Sequence, residues 1–294
     1  MLKKEFFLSG IRKKINIVVM FIFIMNSGFA HNGVHMEGNT PEGRIKKEVK
    51  SEGIILPQIP QLLFEDSCTG SWKNNWMLDG ERAKVINTED GMELIAGPEF
   101  GNDSCHAVLW TKKEFKGDIS IEYDYTRTDT ATRCVNILYF MATGKGNDYP
   151  VDISLWNDKR KVPSMRTYFN NMNTWHISYA AYAADYGETK EDYIRLRRYM
   201  PGGNGLQNTD VPGDIFDTGL FKPGIPYHIK VSLRGTTVEM QVSNMQDKQD
   251  KKVYRWDVSM FQKCTEGRIG LRHMYTRSAR YKNFRVRSLT DTSE

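Results

Sequence analysis

The chain has only four cysteines in 294 residues, and no two of Cys68, Cys105, Cys134 and Cys264 are spaced C-x-x-C. A zinc knot needs that spacing, so the sequence speaks against one. It also has no G-x-S-x-G, no P-loop and no H-E-x-x-H, so none of those catalytic signatures applies. No long stretch carries an apolar stripe at 3.6-residue spacing, which argues against an α/β fold. Internal repeats are missing, and so is an excess of charge once the N-terminus is set aside. Lys3, Lys4, Arg12, Lys13 and Lys14 stand there against Glu5, so 41 basic and 36 acidic residues become 36 and 35, a net charge of +1. Nucleic acid is therefore a poor partner, and any affinity for anions must come from local clustering.

The N-terminus holds the one long apolar run. A basic MLKKEFFLSGIRKK precedes INIVVMFIFIMNSGFA, which ends in the small-x-small sequence Gly28-Phe29-Ala30. Residues 1–30 read as a secretory signal peptide, and their apolar core is short against the ~20 residues of a membrane span. The expected location is periplasmic or secreted, with no stable membrane insertion after cleavage. Residues 31–60 are polar, Gly-rich and without periodicity, and read as a flexible tether. In an exported chain four cysteines allow three disulfide pairings. Cys68 and Cys105 sit in similar loops, EDSC and NDSC, and are the first pair to expect.

Residues 61–290 read as one domain of short strands separated by turns. DISIEYDY alternates Ile119, Ile121, Tyr123 and Tyr125 with Ser120, Glu122 and Asp124, and HIKVSLR and VEMQV alternate likewise. Period-two strands of this kind have one wet face, and strands at 8–15-residue intervals predict an all-β antiparallel β-sandwich. MRTYFN, residues 165–170, is read as another strand.

Four segments in this order, LLFEDSCTGSW, ILYFMATG, TWHISYAAY with YIRLRRY, and GRIGLRHMYTRSARYKNFRV, resemble the YesU-type family of unknown function. The resemblance covers roughly residues 62–288. It implies a concanavalin A-like, galectin-like jelly roll and a setting beside enzymes that degrade acidic plant polysaccharides. It supplies no catalytic residues, so the site is argued from the residues present.

YIRLRRYM is the most unusual strand. Ile194, Leu196 and Met200 share one face with Arg198, and Tyr193, Arg195, Arg197 and Tyr199 share the other. In TWHISYAAY, strict alternation puts His176, Ser178, Ala180 and Tyr182 together. If the two strands are neighbours, these rows form one surface. Arg195 and Arg197 suit carboxylate recognition, because a guanidinium fork matches a carboxylate. His176, Tyr182 and Tyr199 are the candidates for proton transfer in β-elimination at a uronic acid. The hairpin RHMYTRSARYK adds His273, Tyr275 and Arg277 as further substrate contacts, and Arg133 and Asn136 are weighed beside them.

The expected partner is a carbohydrate, a uronic-acid-containing glycan; if the protein is an enzyme, a polysaccharide lyase is favoured over a glycoside hydrolase. A non-catalytic glycan-binding module is the alternative, since Tyr and Arg also cover wet β faces. A glycoside hydrolase using Glu122 and Asp124, two residues apart on one strand, is the third reading. No residue set calls for a cofactor. GNDYPVD and PGGNGLQNTDVPGDIFD do carry the carboxylates and carbonyls that a structural Ca²⁺ takes.

Overall fold

The computed structural model describes residues 60–184, 188–200, 202, 204–247 and 249–289. The expected signal peptide and nearly all of the expected tether lie outside them. Among the described residues no helix is long and apolar enough to cross a membrane.

The strands are β1 (Leu62–Asp66), β2 (Trp76–Asp79), β3 (Lys84–Thr88), β4 (Gly91–Ile95), β5 (Ala107–Thr111), β6 (Phe115–Lys116), β7 (Ile119–Arg127) and β8 (Asn136–Gly144). They continue with β9 (Met172–Tyr182), β10 (Asp192–Tyr199), β11 (Ile215–Phe216), β12 (Pro226–Arg234), β13 (Thr237–Asn244), β14 (Lys251–Asp257), β15 (Glu266–His273) and β16 (Ser278–Ser288). Sheet one has the order β14-β13-β12-β7-β16-β4-β3, with β1 on β16; sheet two has the order β11-β10-β9-β8-β15-β5-β2, with β6 on β15. All pairings are antiparallel, so the chain is an all-β sandwich.

Local chemistry explains much of the register. Arg234 pairs with Thr237 across a two-residue turn whose Gly235 has φ +55, the left-handed conformation such hairpins require. On β7 the alternation buries Ile121, Tyr123 and Tyr125 against Ile177, Tyr179 and Leu138 of sheet two. Its other face is the wet outer surface of sheet one. There Glu122 meets Lys230 at 2.7 Å, and Asp124 meets His228 at 2.8 Å and Asn283 at 2.7 Å. The two acids of the hydrolase reading are thus engaged in separate cross-strand pairs.

The outer face of sheet two is mostly dry as well. A 3₁₀ segment (Ile153–Arg160) and helix α1 (Met165–Asn171) lie over it and form a second core with Trp110, Ile137 and Tyr139. MRTYFN is therefore helical and not a strand. Ser164 caps it, its Oγ accepting from the Thr167 N–H, and a hydroxyl cap of this kind starts helices. Beneath α1, Asp79 Oδ2 accepts from Trp110 Nε1 at 2.7 Å, Arg160 Nε at 2.6 Å and Tyr168 Oη at 2.8 Å, and Oδ1 accepts from Asn157 at 2.6 Å. The charge pair inside is completely enclosed, and it is tolerable because the carboxylate is saturated with donors. Trp110, Tyr139 and Tyr168 stack with interplanar angles of 19° or less. This stack fixes α1 to the sheet.

The expected disulfide does not form: all four cysteines are unpaired and buried. Cys264 Sγ donates to the Met141 carbonyl at 3.1 Å, and Cys68 Sγ to that of Asp66 at 3.6 Å. Burial raises the thiols of Cys68 to about 12 and of Cys134 and Cys264 to about 11. Thiols so held are poor nucleophiles for disulfide exchange.

Candidate functional site

β9 and β10 are neighbours, as the candidate site requires. Arg197 pairs with His176 and Arg195 with Ser178. Between Ser178 and Ala181 the register slips, and Ala180 takes φ +44. Two residues of β9 face one of β10 there, which is a β-bulge. Beyond it the faces of β9 are exchanged. Ala180 packs in the inter-sheet core and Ala181 on the outer side, the reverse of strict alternation. Tyr182 consequently leaves the row of His176. Its hydroxyl accepts from Arg127 Nη1 at 2.6 Å, and its ring lies under the Arg127 guanidinium at 5.2 Å.

The uncovered part of the sheet-two outer face forms an open cavity of about 410 Å³. His176, Ser178, Tyr193, Arg195, Arg197 and Tyr199 line it, with Tyr182 and Tyr275 contributing as well. Met165 and Phe169 of α1, Leu206, and Phe216 of β11 line it too. Seven residues proposed from sequence (His176, Tyr182, Tyr193, Arg195, Arg197, Tyr199 and Tyr275) thus surround one space.

His273 and Arg277 do not reach it. Arg272 occupies the outer face of β15, so His273 points between the sheets, where its Nε2 lies 2.7 Å from Tyr281 Oη. Burial, then the charge of Arg277, holds His273 down at about 3. Arg277 is fully buried, and its Nε donates to both Asp129 oxygens at 3.1 and 3.0 Å. Of that hairpin Met274 and Tyr275 meet the cavity, the Tyr275 ring 4.4 Å from His106. Asn136 is also inside the sandwich, donating to Tyr125 Oη at 2.6 Å, and Arg133 lies over Phe100 at 4.3 Å. Arg198 is fully buried on the core side. Its Nε donates to the Gln262 carbonyl at 3.0 Å, its Nη2 to Asn173 Oδ1 at 2.5 Å, and its plane lies 5.2 Å from Trp175. Among the described residues it has no carboxylate partner, and burial lowers its pKa.

The floor is tightly bonded. His176 Nδ1 lies 2.6 Å from Tyr199 Oη and Nε2 2.7 Å from Ser178 Oγ, so both ring nitrogens are occupied. Burial, then the positive charges of Arg197, Arg272 and Arg195, holds His176 well below the usual imidazole value. Burial lifts the Tyr199 and Tyr193 hydroxyls above the usual phenol value, Tyr199 far above it. The imidazole is thus neutral at pH 7, and the phenols keep their protons. Arg195 Nε donates to Asp214 at 2.7 Å, and Arg197 Nη1 meets Asp210 at 2.9 Å and Thr209 Oγ1 at 3.1 Å.

Both aspartates come from the loop read as a Ca²⁺ candidate. Asp152, of the other such loop, caps the 3₁₀ segment and pairs with Arg268 at 2.9 Å. Among the described residues no group of three His, Cys, Asp or Glu is placed to hold a metal. Reading by strands could not find Phe169 because it lies on α1, nor the pairing of Asp210 and Asp214 with the arginines. Ser178 was legible from its alternation with His176.

Two antiparallel sheets with a cavity on one outer face define an all-β sandwich. A galectin-like protein of unknown function from Bacillus subtilis superposes with a TM-score of 0.55 at 16% identity, covering 77% of this chain and 96% of that one. Weaker likenesses include the carbohydrate binding module CBM66 from Bacillus subtilis (TM-score 0.41, 14% identity, 73% and 96% covered) and lectin II from Ulex europaeus (TM-score 0.49, 9% identity, 76% and 98% covered). At these identities the likeness is one of fold. Residues 61–286 match the family model of a domain of unknown function, DUF1961, and the chain belongs to that family. No curated protein matches it in sequence.

Proposed function

We propose that this protein is an exported, YesU-type glycan-binding module whose cavity takes a sugar bearing a carboxylate. One observation carries the reading: an open cavity whose floor sets two guanidinium groups, Arg195 and Arg197, between Tyr193 and Tyr199, walled by Phe169 and Phe216. Aromatic faces cover the apolar side of a sugar ring, and fixed N–H and O–H donors fix its orientation. The charges that act on His176 from beside the floor are those of arginines, which favours an anionic over a cationic ligand. Asp210 is 60% exposed, so its carboxylate can yield Arg197 to an incoming one.

Binding is favoured over elimination because the base lacks a free nitrogen. Both His176 nitrogens are hydrogen-bonded within the floor, and Tyr182 is turned toward Arg127. The test is calorimetric titration of the full chain with oligogalacturonides, together with a search for unsaturated products by ultraviolet absorbance. Binding without such products is expected, and Arg197→Ala should weaken it roughly tenfold, as for a charged hydrogen bond of about 1.5 kcal/mol. Accumulation of unsaturated ends would establish a lyase and overturn the module reading. Unchanged binding in Arg195→Ala and Arg197→Ala would remove the cavity floor from recognition.

A further inference from the structure

Helix α1 has a second polar side. Met165 and Phe169 face the cavity described above, while Arg166 and Asn170, one position on in each case, line a shallower depression. Each pair is spaced i, i+4, so the helix presents two distinct stripes. The second depression has a volume of about 590 Å³, and Lys145, Tyr149, Ser164 and Asn204 help line it. Among the described residues no acidic one lines it.

Its cations are unusual for this molecule. Most arginines of the described chain are committed to carboxylates or carbonyls, as Arg160, Arg195, Arg197, Arg198 and Arg277 show. Arg166, by contrast, is exposed, and among the described residues it has no hydrogen-bond or ion-pair partner. Lys145 is exposed and not ion-paired among the described residues; its ammonium donates to the Asn170 carbonyl at 3.5 Å and lies 5.0 Å over the Tyr149 ring. Lys159 approaches the same ring at 4.6 Å and donates to the Asp148 carbonyl at 2.6 Å. An aromatic face ringed by uncompensated cations and bordered by amide and hydroxyl groups has the composition of an anionic-sugar subsite.

We infer that this depression is a second subsite, taking an anionic residue, carboxylate or sulfate, of the same glycan chain that enters the first cavity. The inference rests on the proposed function for the first cavity and adds that the ligand is an oligosaccharide crossing α1. A helix with its side chains is about 10 Å wide, so a single sugar cannot occupy both sides. Arg166 and Lys145 are exposed and lie outside both cores, which makes them clean positions for substitution.

The test uses the full chain and two length-graded series, oligogalacturonides and sulfated carrageenan oligosaccharides, titrated calorimetrically. Affinity should rise with length. The double variant Lys145→Gln/Arg166→Gln should lose roughly five- to tenfold on the longest oligomers, the range of two partly screened ion pairs. It should leave the shortest binder unchanged, whereas Arg197→Gln should weaken every length. A length-dependent loss confined to the sulfated series assigns the subsite to sulfate; one confined to oligogalacturonides assigns it to carboxylate. If the double variant binds long oligomers like the wild type while Arg197→Gln weakens them, the second subsite is wrong and the first stands. If neither series binds the wild type, both readings fail.

Discussion

Replacing Gly270 by alanine should destabilise the protein through a single collision. Gly270 sits on β15 between Tyr139 and Trp110 of the adjoining strands. A Cβ built there would lie 2.5 Å from Trp110 Cε3 and Cζ3 and 2.9 Å from Cη2. The backbone at Gly270 is not left-handed, so the effect isolates space from strain. The indole cannot simply swing away, because it is fully buried, stacks on Tyr139 with centroids 5.5 Å apart, and donates to Asp79 at 2.7 Å. Overpacking costs about 1–3 kcal/mol. A lost hydrogen bond to a charged group adds about 1.5–3 kcal/mol. Alanine recovers about 0.5–1 kcal/mol of backbone entropy. A net loss of about 1.5–5.5 kcal/mol is expected in urea denaturation followed by circular dichroism. In a Trp110→Leu background the obstructing ring is gone, and the same change should cost less than about 0.5 kcal/mol. A Gly270→Ala protein within about 0.5 kcal/mol of wild type would refute the claim that this stack anchors α1.

Two further outcomes are expected. His106 and His273 are held at about 3, by burial first and then by Arg272 and Arg277, while an unfolded histidine titrates near about 6.5. Below about pH 6.5 the unfolded chain therefore binds protons that the native chain refuses, and stability falls with pH. His228, raised by its hydrogen bond to Asp124, opposes this, but it is one group against three when His176 is counted. The urea midpoint should be lower at pH 5 than at pH 7.5, and the gap should narrow in His273→Gln; an unchanged or higher midpoint at pH 5 would contradict the burial argument. For the cysteines, non-reduced and reduced protein should have the mass of four free thiols, and an aromatic disulfide reagent should label them only after unfolding. A mass two hydrogen atoms lighter without reductant, with Cys68 and Cys105 joined in one peptide map fragment, would restore the Cys68–Cys105 expectation.

The sandwich was legible because period-two alternation is a direct consequence of a pleated strand with one dry face. DISIEYDY and HIKVSLR carry it plainly, and both form paired strands of sheet one. YIRLRRYM was legible for the same reason, and its Tyr193, Arg195, Arg197 and Tyr199 do line the cavity. The failures have separate physical causes. MRTYFN is too short for period two to be told from a helix with one apolar edge, and the Ser164 cap decided the matter. His273 and Arg277 were grouped by nearness in sequence, but side chains leave neighbouring positions on opposite faces and Arg277 follows a turn. Arg198 is on the face that alternation assigned to it; what could not be read is that the Gln262 carbonyl and Trp175, distant in sequence, would surround it. The aspartates that hold Arg195 and Arg197 come from a loop whose path no periodicity predicts.

The slip at Ala180 has a consequence for how this surface can change over time. Which side of a strand a residue shows depends on whether its count from a fixed point is odd or even. One supernumerary residue in β9 reverses that parity for the positions after it, while those before keep theirs. The same strand therefore furnishes the floor with His176 and Ser178 and the side wall with Tyr182. Loss of a single codon there would close the bulge and leave Tyr182 on the wall, whereas insertion of one between Ala181 and Tyr182 would turn Tyr182 to the floor without altering the composition of the cavity. Its shape is thus open to variation by insertion and deletion, a different route from the replacement of one side chain by another.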